Sequence, residues 1–147
     1  MAKKKIIVIG GGFGGVFAAK SLEKLGRGTL DVELVNNHNY FVFQPLLPDV
    51  AASSINSADA VVPLRQLLSN VQVRQARVMG IDFAKKTVIV MQGARMTPVE
   101  LKYDELIMAL GTGVDLNRIP GMADHALTMK DLTDAHRLRT HVIGCLE

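Results

Sequence analysis

A chain of 147 residues, 48% of them hydrophobic and 21% charged, has the composition of one ordinary folded domain able to bury about two-thirds of its unfolded surface. The net charge of +3 is modest, no basic and aromatic residues interleave as a single-strand nucleic-acid surface requires, and no stretch approaches eighteen uninterrupted apolar residues. These features exclude a nucleic-acid binder and a membrane-spanning helix, and the single Cys145 excludes both an internal disulfide and a Cys-x-x-Cys redox pair.

Lys3-Lys4-Lys5 reads as a solvated lead-in to the first strand, Lys5 to Ile9. That apolar run is broken at once by Gly10-Gly11-Gly12-Phe13-Gly14-Gly15, so it is not a signal peptide, and the expected location is the cytoplasm. Strand followed by Gly-x-Gly-x-x-Gly is the device for laying a pyrophosphate on a helix N-terminus. Gly10 makes the tight turn, Gly12 lets backbone approach phosphate, and Gly15 lets the helix pack close to the strand. The helix contributes its unpaired N–H groups and the positive end of its dipole, roughly half a unit charge.

The next ten residues, Val16 to Leu25, show helical spacing of Phe17, Leu22 and Leu25, with Ala19 as a further small residue against the sheet. A second strand, Asp31 to Asn36, ends where an acidic ligand for the ribose hydroxyls is expected, about twenty residues after the turn. Asn36 stands there instead. Its carbonyl oxygen can accept one hydroxyl, without the charge or second acceptor oxygen of a carboxylate.

His38 to Ala51 is aromatic and proline-bearing, either a covered loop with a short helix or a wall of the ligand site, since loops at strand C-termini line the crevice of such sheets. Ser57 to Leu68 reads as one helical piece with Leu64, Leu67 and Leu68 on one face. Val71 to Val73, Ala76 to Ile81, Thr87 to Met91 and Met96 to Leu101 read as short strands, with a polar turn from Asp82 to Lys86. This succession predicts an antiparallel meander inserted in a parallel βαβ fold. Tyr103 to Leu110 is a further strand ending at Gly111-Thr112-Gly113, where backbone can come close to a ligand. A last helix is capped by Asp131 with Asp134 in its first turn, and carries Leu132, Ala135, Leu138, Val142, Ile143 and Leu146 as its apolar face. Cys145 is expected to be a buried, inert thiol. The four histidines, His38, His125, His136 and His141, lack the spacing of a helical zinc site, so no metal is expected.

Taken in order, the glycine turn, Phe43-Gln44-Pro45-Leu46-Leu47, Pro63-Leu64-Arg65, Val78-Met79-Gly80-Ile81-Asp82 and the run Tyr103 to Thr112 resemble the type II NADH dehydrogenases. These are FAD-dependent NADH:quinone oxidoreductases of the two-dinucleotide-binding flavoprotein superfamily. The likeness continues through Ile119-Pro120-Gly121 and Lys130 to Ala135. It implies a Rossmann-like α/β fold in which Gly10, Gly12, Phe13, Gly14 and Gly15 hold the FAD pyrophosphate. Asn36 then replaces the acidic ribose ligand, and Val78 meets the adenine through its backbone. Gln44 and Pro45 lie near the flavin, and Ala109, Leu110, Gly111 and Thr112 form a second FAD-contacting motif. It implies NADH and a quinone as reaction partners and assigns no catalytic side chain to this segment.

The second Gly-x-Gly-x-x-Gly that such an enzyme needs for NADH is not found, because Gly26/Gly28 and Gly111/Gly113 lack the third glycine. Residues 1–147 are therefore expected to be the N-terminal, FAD-binding part of a longer protein. The NADH-binding and C-terminal membrane-associating regions would lie outside it. Full-length, the protein would be peripheral on the cytoplasmic face of the inner membrane, and the isolated part would self-associate through apolar surface left uncovered. Three other classes stay open: an NAD-binding Rossmann domain, against which the second cofactor motif around Gly111 speaks, a non-enzymatic dinucleotide-binding module, and part of a sulfide:quinone or disulfide-reducing flavoprotein. The region His38 to Ala51 lacks the flavin-side cysteine that the last of these needs.

Overall fold

A computed structural model describes residues 3–26 and 28–147. In chain order the elements are β1 (Lys4–Ile9), α1 (Phe13–Gly26), β2 (Leu30–Asn36), β3 (Tyr40–Val42), α2 (Leu47–Ala51), β4 (Val61–Pro63) and α3 (Leu64–Leu67). They continue with β5 (Gln72–Asp82), β6 (Thr87–Gln92), β7 (Thr97–Lys102), β8 (Glu105–Met108), α4 (Met122–His125) and α5 (Leu132–Gly144). The chain divides into two compact units, residues 1–41 with 63–111 and residues 42–62 with 112–147.

The first unit is built on a six-stranded sheet in the order β7-β6-β5-β2-β1-β8. β1 pairs in parallel with β2 and β8, and β2 in parallel with β5. β5, β6 and β7 are antiparallel, so the sheet is the expected parallel core with an inserted meander. Both faces of the parallel part are covered, as its near-continuous apolar strands require. On one face Val8, Val32, Leu34 and Val73 pack with Val16 and Ala19 of α1 and Leu64 of α3. On the other, Ile7, Ile9 and Val35 pack with Val88, Val90 and Leu101 of the meander.

Three local expectations are corrected. Ser57 to Leu68 is not one helix: Ser57–Ala60 is a single 3-10 turn, Val61–Pro63 is β4, and only Leu64–Leu67 is helical. Two β-branched residues and a proline favour extended backbone there. Val71 to Val73 and Ala76 to Ile81 are not two strands. They run together in the 11-residue β5, which pairs with β2 through its first half and with β6 through its second, with an irregularity between Val78 and Gly80. In α1 the buried residues are Gly15, Val16, Ala19 and Gly26, whereas Phe17 and Leu25 are 61% and 79% exposed. A helix lying this close to a sheet buries its small residues, and the bulky ones turn outward.

Among the described residues of this unit one charged group is enclosed. Glu33 of β2 is fully buried on the meander-facing side. It accepts from Arg74 Nε of β5, whose Nη1 donates to Gln92 Oε1 of β6 at 2.6 Å. Lys5 Nζ of β1 stands 3.0 Å from Glu33 Oε2, an ionic contact outside hydrogen-bond geometry. Three adjacent strands thus meet at one carboxylate, and Arg74 links them to a fourth. At the surface, Lys4 and Glu105 pair at 2.8 Å. The pair raises the Lys4 ammonium and lowers the Glu105 carboxyl from their ordinary values, and exposed as it is, it adds little stability.

In the second unit Leu47 and Val50 of α2, Ala60 and Ala135 of α5 form a small core with Leu132 against it. Asp131 is the N-cap of α5, its Oδ1 accepting from the Asp134 amide at 2.9 Å, while Asp134 Oδ2 accepts from the Lys130 amide at 2.7 Å. Of the expected apolar face only Ala135 is buried, and Val142, Ile143 and Leu146 are exposed. Cys145 is exposed too, not buried, with Sγ 3.9 Å from His141 Nε2.

The Thr128 hydroxyl, then the Lys130 and Asp131 amides and the charge of Arg137, hold the Asp134 carboxyl below its ordinary 3.8 against its partial burial. A depressed carboxyl stabilises the fold above its unfolded value and loses that contribution as pH falls through the folded value. Helix α5 is therefore expected to loosen below pH 3.8, and Asp134→Asn to remove that acid dependence. Asp131→Ala should cost about 1 kcal/mol at neutral pH. Circular dichroism melts of the variants against pH check both, and an unchanged acid limb in Asp134→Asn would count against the assignment.

Candidate functional site

β1 ends at Ile9 and the chain turns at Gly10, whose φ of 109° belongs to the region where side chains are strained. Its amide donates to the Val35 carbonyl at 2.9 Å. A Cβ on Gly10 would fall well within 3.0 Å of the Ala109 carbonyl oxygen, and one on Gly15 would do the same against the Gly10 carbonyl oxygen. These two glycines are required by the protein's own packing. Gly12 differs, since a Cβ there would meet nothing within 4 Å. Its small size answers to no protein atom.

The first bond of the α1 ladder runs from the Val16 amide to the Gly12 carbonyl at 3.0 Å. The first turn lies ahead of this ladder, at the helix end whose dipole favours an anion. The phenyl rings of Phe13 and Phe41 meet edge to face, centroids 4.9 Å apart, fixing the entry to α1. Residues after β8 complete the other wall. The Ala109 amide donates to the Ile9 carbonyl at 2.8 Å, and a Cβ on Gly14 would lie 3.7 Å from that of Ala109. Leu110 is exposed and Gly111 has φ 72°, so the backbone bends sharply here.

This corner is where strand order reverses. From β1 the chain goes to β2 on one side and then to β5, whereas β8 lies on the other side of β1. Open α/β sheets bind ligands outside the carboxyl ends of their strands at such a switch point. The glycine turn and Ala109 occupy it from the two strands concerned.

Asn36, at the C-terminal end of β2, is brought to the turn as well. Its Oδ1 accepts from the Gly11 amide at 2.9 Å and its Nδ2 donates to the His38 carbonyl at 3.0 Å. A Cβ on Gly11 would stand 2.5 Å from Asn36 Nδ2 and 2.6 Å from Cγ. Sequence inspection missed this pairing. The available signal was the additional glycine between Gly10 and Gly12, which the turn motif does not require.

Val78 lies three residues beyond Gln75, the β5 partner of Asn36, and opposite Val90. Gln44, Pro45 and Thr112 belong to the second unit. Gln44 and Pro45 form a 3-10 turn, Gln44–Leu46, from which Gln44 Nε2 donates to the Lys130 carbonyl at 3.0 Å. Among the described residues no group of three or more His, Cys, Asp or Glu side chains is arranged to hold a metal ion.

Residues 4–144 match the pyridine nucleotide-disulphide oxidoreductase family. A potato (Solanum tuberosum) protein, external alternative NAD(P)H-ubiquinone oxidoreductase B1, mitochondrial, is 32% identical over 154 residues, covering 99% of this chain and 26% of that protein. The type II NADH:quinone oxidoreductase Ndh of Mycobacterium tuberculosis is 35% identical over 150 residues, covering 99% of this chain and 31% of that protein. Among solved structures, NDH2 from Plasmodium falciparum in complex with NADH superposes with a TM-score of 0.83 at 27% identity, covering 99% of this chain and 31% of that one. The chain therefore spans about a quarter to a third of the length of these relatives.

Proposed function

The chain belongs to the pyridine nucleotide-disulphide oxidoreductase family, and from that membership we propose that residues 1–147 are the N-terminal FAD-binding part of an enzyme that passes electrons from NADH through FAD to a quinone. One observation carries the proposal: at the switch point beside β1, Gly12 leaves open space in front of the first-turn amides of α1. The corner fits a pyrophosphate, which needs backbone donors and close approach, with no side chain in the way.

In this reading Gly10, Gly12, Phe13, Gly14 and Gly15 cradle the pyrophosphate, with Asn36 at the ribose end and the Val78 backbone toward the adenine. Ala109, Leu110 and Gly111 form the opposite wall, and the family likeness assigns contacts with FAD to Gln44, Pro45 and Thr112 as well. When bound, FAD supplies the two-electron chemistry. The side chains of this segment bind and orient. None is assigned as acid, base or nucleophile. With Cys145 the only cysteine in these 147 residues, a thiol-based disulfide reaction has no redox pair here, and this favours the NADH:quinone assignment. The assembled enzyme would work at the cytoplasmic face of a membrane. No helix among the described residues is long and apolar enough to cross one.

The test is the visible absorbance spectrum of the purified chain before and after FAD is added and unbound ligand removed. We expect a retained flavin band, and FAD in the released extract. A folded chain that retains no flavin, or that retains NAD instead, would sink the assignment. Sedimentation of the same sample reads self-association through exposed apolar residues such as Ile143 and Leu146, which a strictly monomeric chain at high concentration would refute.

A further inference from the structure

We propose that Asn36 is a positioning residue that fixes the glycine turn through Gly11, and that its amide is committed to this task instead of to the ribose. The inference rests on the dinucleotide-binding assignment for its consequence, though its geometry stands in the free protein. An asparagine amide is directional, with acceptor capacity on one atom and donors on the other. Here each atom has a backbone partner of the matching kind, the Gly11 amide at 2.9 Å and the His38 carbonyl at 3.0 Å. Those partners belong to the two segments that follow β1 and β2, so one side chain ties the turn to the adjacent loop.

The same contacts explain why the position departs from the acidic residue expected there. A carboxylate could accept from Gly11 but would face the His38 carbonyl oxygen with a second acceptor. Only an amide satisfies both. Gly11 in turn must lack a side chain, because Asn36 fills the space where a Cβ would stand. Gly11 lies between Gly10, which turns the chain, and Gly12, which faces open space. Holding its amide therefore sets the direction of the neighbouring peptide groups that meet phosphate.

The inference is tested by two readouts, on the wild-type chain and on Asn36→Ala, Asn36→Ser and Asn36→Asp. The first is hydrogen exchange of the Gly11 amide without ligand. Asn36→Ala, or Asn36→Ser if the alanine variant does not fold, should speed it about fivefold or more, and Asn36→Asp should keep it slow. The second is the affinity for FAD and for its analogue lacking both hydroxyls of the adenosine ribose. Asn36→Ala should weaken both ligands by the same factor, about five- to tenfold. Unchanged Gly11 exchange overturns the inference, and so does loss of FAD affinity with the analogue unaffected, which would assign Asn36 to the ribose. A wild-type chain that binds neither ligand refutes the FAD assignment, and the exchange experiment then still decides the role of Asn36.

Discussion

Gly15→Ala is expected to lower the stability of the chain by about 3 kcal/mol or more, a Tm drop of roughly 6–12 °C for a domain of this size, while Gly12→Ala should melt within about 2 °C of the wild type. Both glycines belong to the same motif, and the difference lies in what a methyl group would meet. At Gly15 it meets the Gly10 carbonyl oxygen, which is backbone and cannot rotate away. The helix propensity gained by replacing glycine, about 1 kcal/mol, is too small to offset that overlap. At Gly12 it meets no atom of the protein within 4 Å. The effect of Gly12→Ala should appear instead in FAD binding, weakened about 10- to 100-fold, equivalent to 1–3 kcal/mol of overpacking against the ligand. Melting curves and FAD titrations of the two variants separate these effects. Normal FAD affinity in Gly12→Ala would show that the pyrophosphate does not pass there.

Arg74→Met should destabilise the chain by about 3 kcal/mol or more, because it leaves Glu33 inside the sheet with only the off-axis ionic contact to Lys5. Methionine fills much of the volume of the arginine stem, so lost packing contributes little. Removing both charges is a different experiment. Glu33→Leu combined with Arg74→Met should recover most of the loss, since well-packed apolar groups replace a buried ion pair at little or no net cost. Urea unfolding of the single and double variants gives the coupling energy directly. A single Arg74→Met within about 0.5 kcal/mol of the wild type would mean that the carboxylate finds other partners or water.

The parts of this fold that were legible in the sequence are those fixed by near neighbours. β1 into the glycine turn, the polar turn from Asp82 to Lys86 and the capped start of α5 follow from residues a few positions apart. Where sequence inspection failed, the deciding partner was distant or the local signal was mixed. Helical spacing put Phe17 and Leu25 in the core, but the sheet surface admits only small residues close to the axis, and Val16 and Ala19 took the place. Val61, Val62 and Pro63 were absorbed into a helical window because leucines follow them. Nothing in the local sequence marks Glu33 for burial. Its burial follows from the meander covering that face, and its partners Arg74 and Lys5 lie 41 and 28 positions away. Of the site, the glycine turn was legible, and the likeness to a known family singled out Ala109 as a cofactor contact without showing that it packs against Gly10. The Asn36–Gly11 contact depends on the side-by-side register of β1 and β2, which composition and spacing do not encode.

The position of β8 also orders events during synthesis. β1 can pair with β2 once residue 36 has been made, but its other neighbour is residues 105–108, so that flank waits several seconds at ribosomal speeds of about 5–20 residues per second. Through that interval β1 is an uncapped strand edge, a template for mispairing with another nascent chain. Ala109 arrives with the same strand, so the corner beside the glycine turn is among the last parts of the sheet to close. Chaperone capture should concentrate in that window, and cofactor loading should follow release of the finished strand.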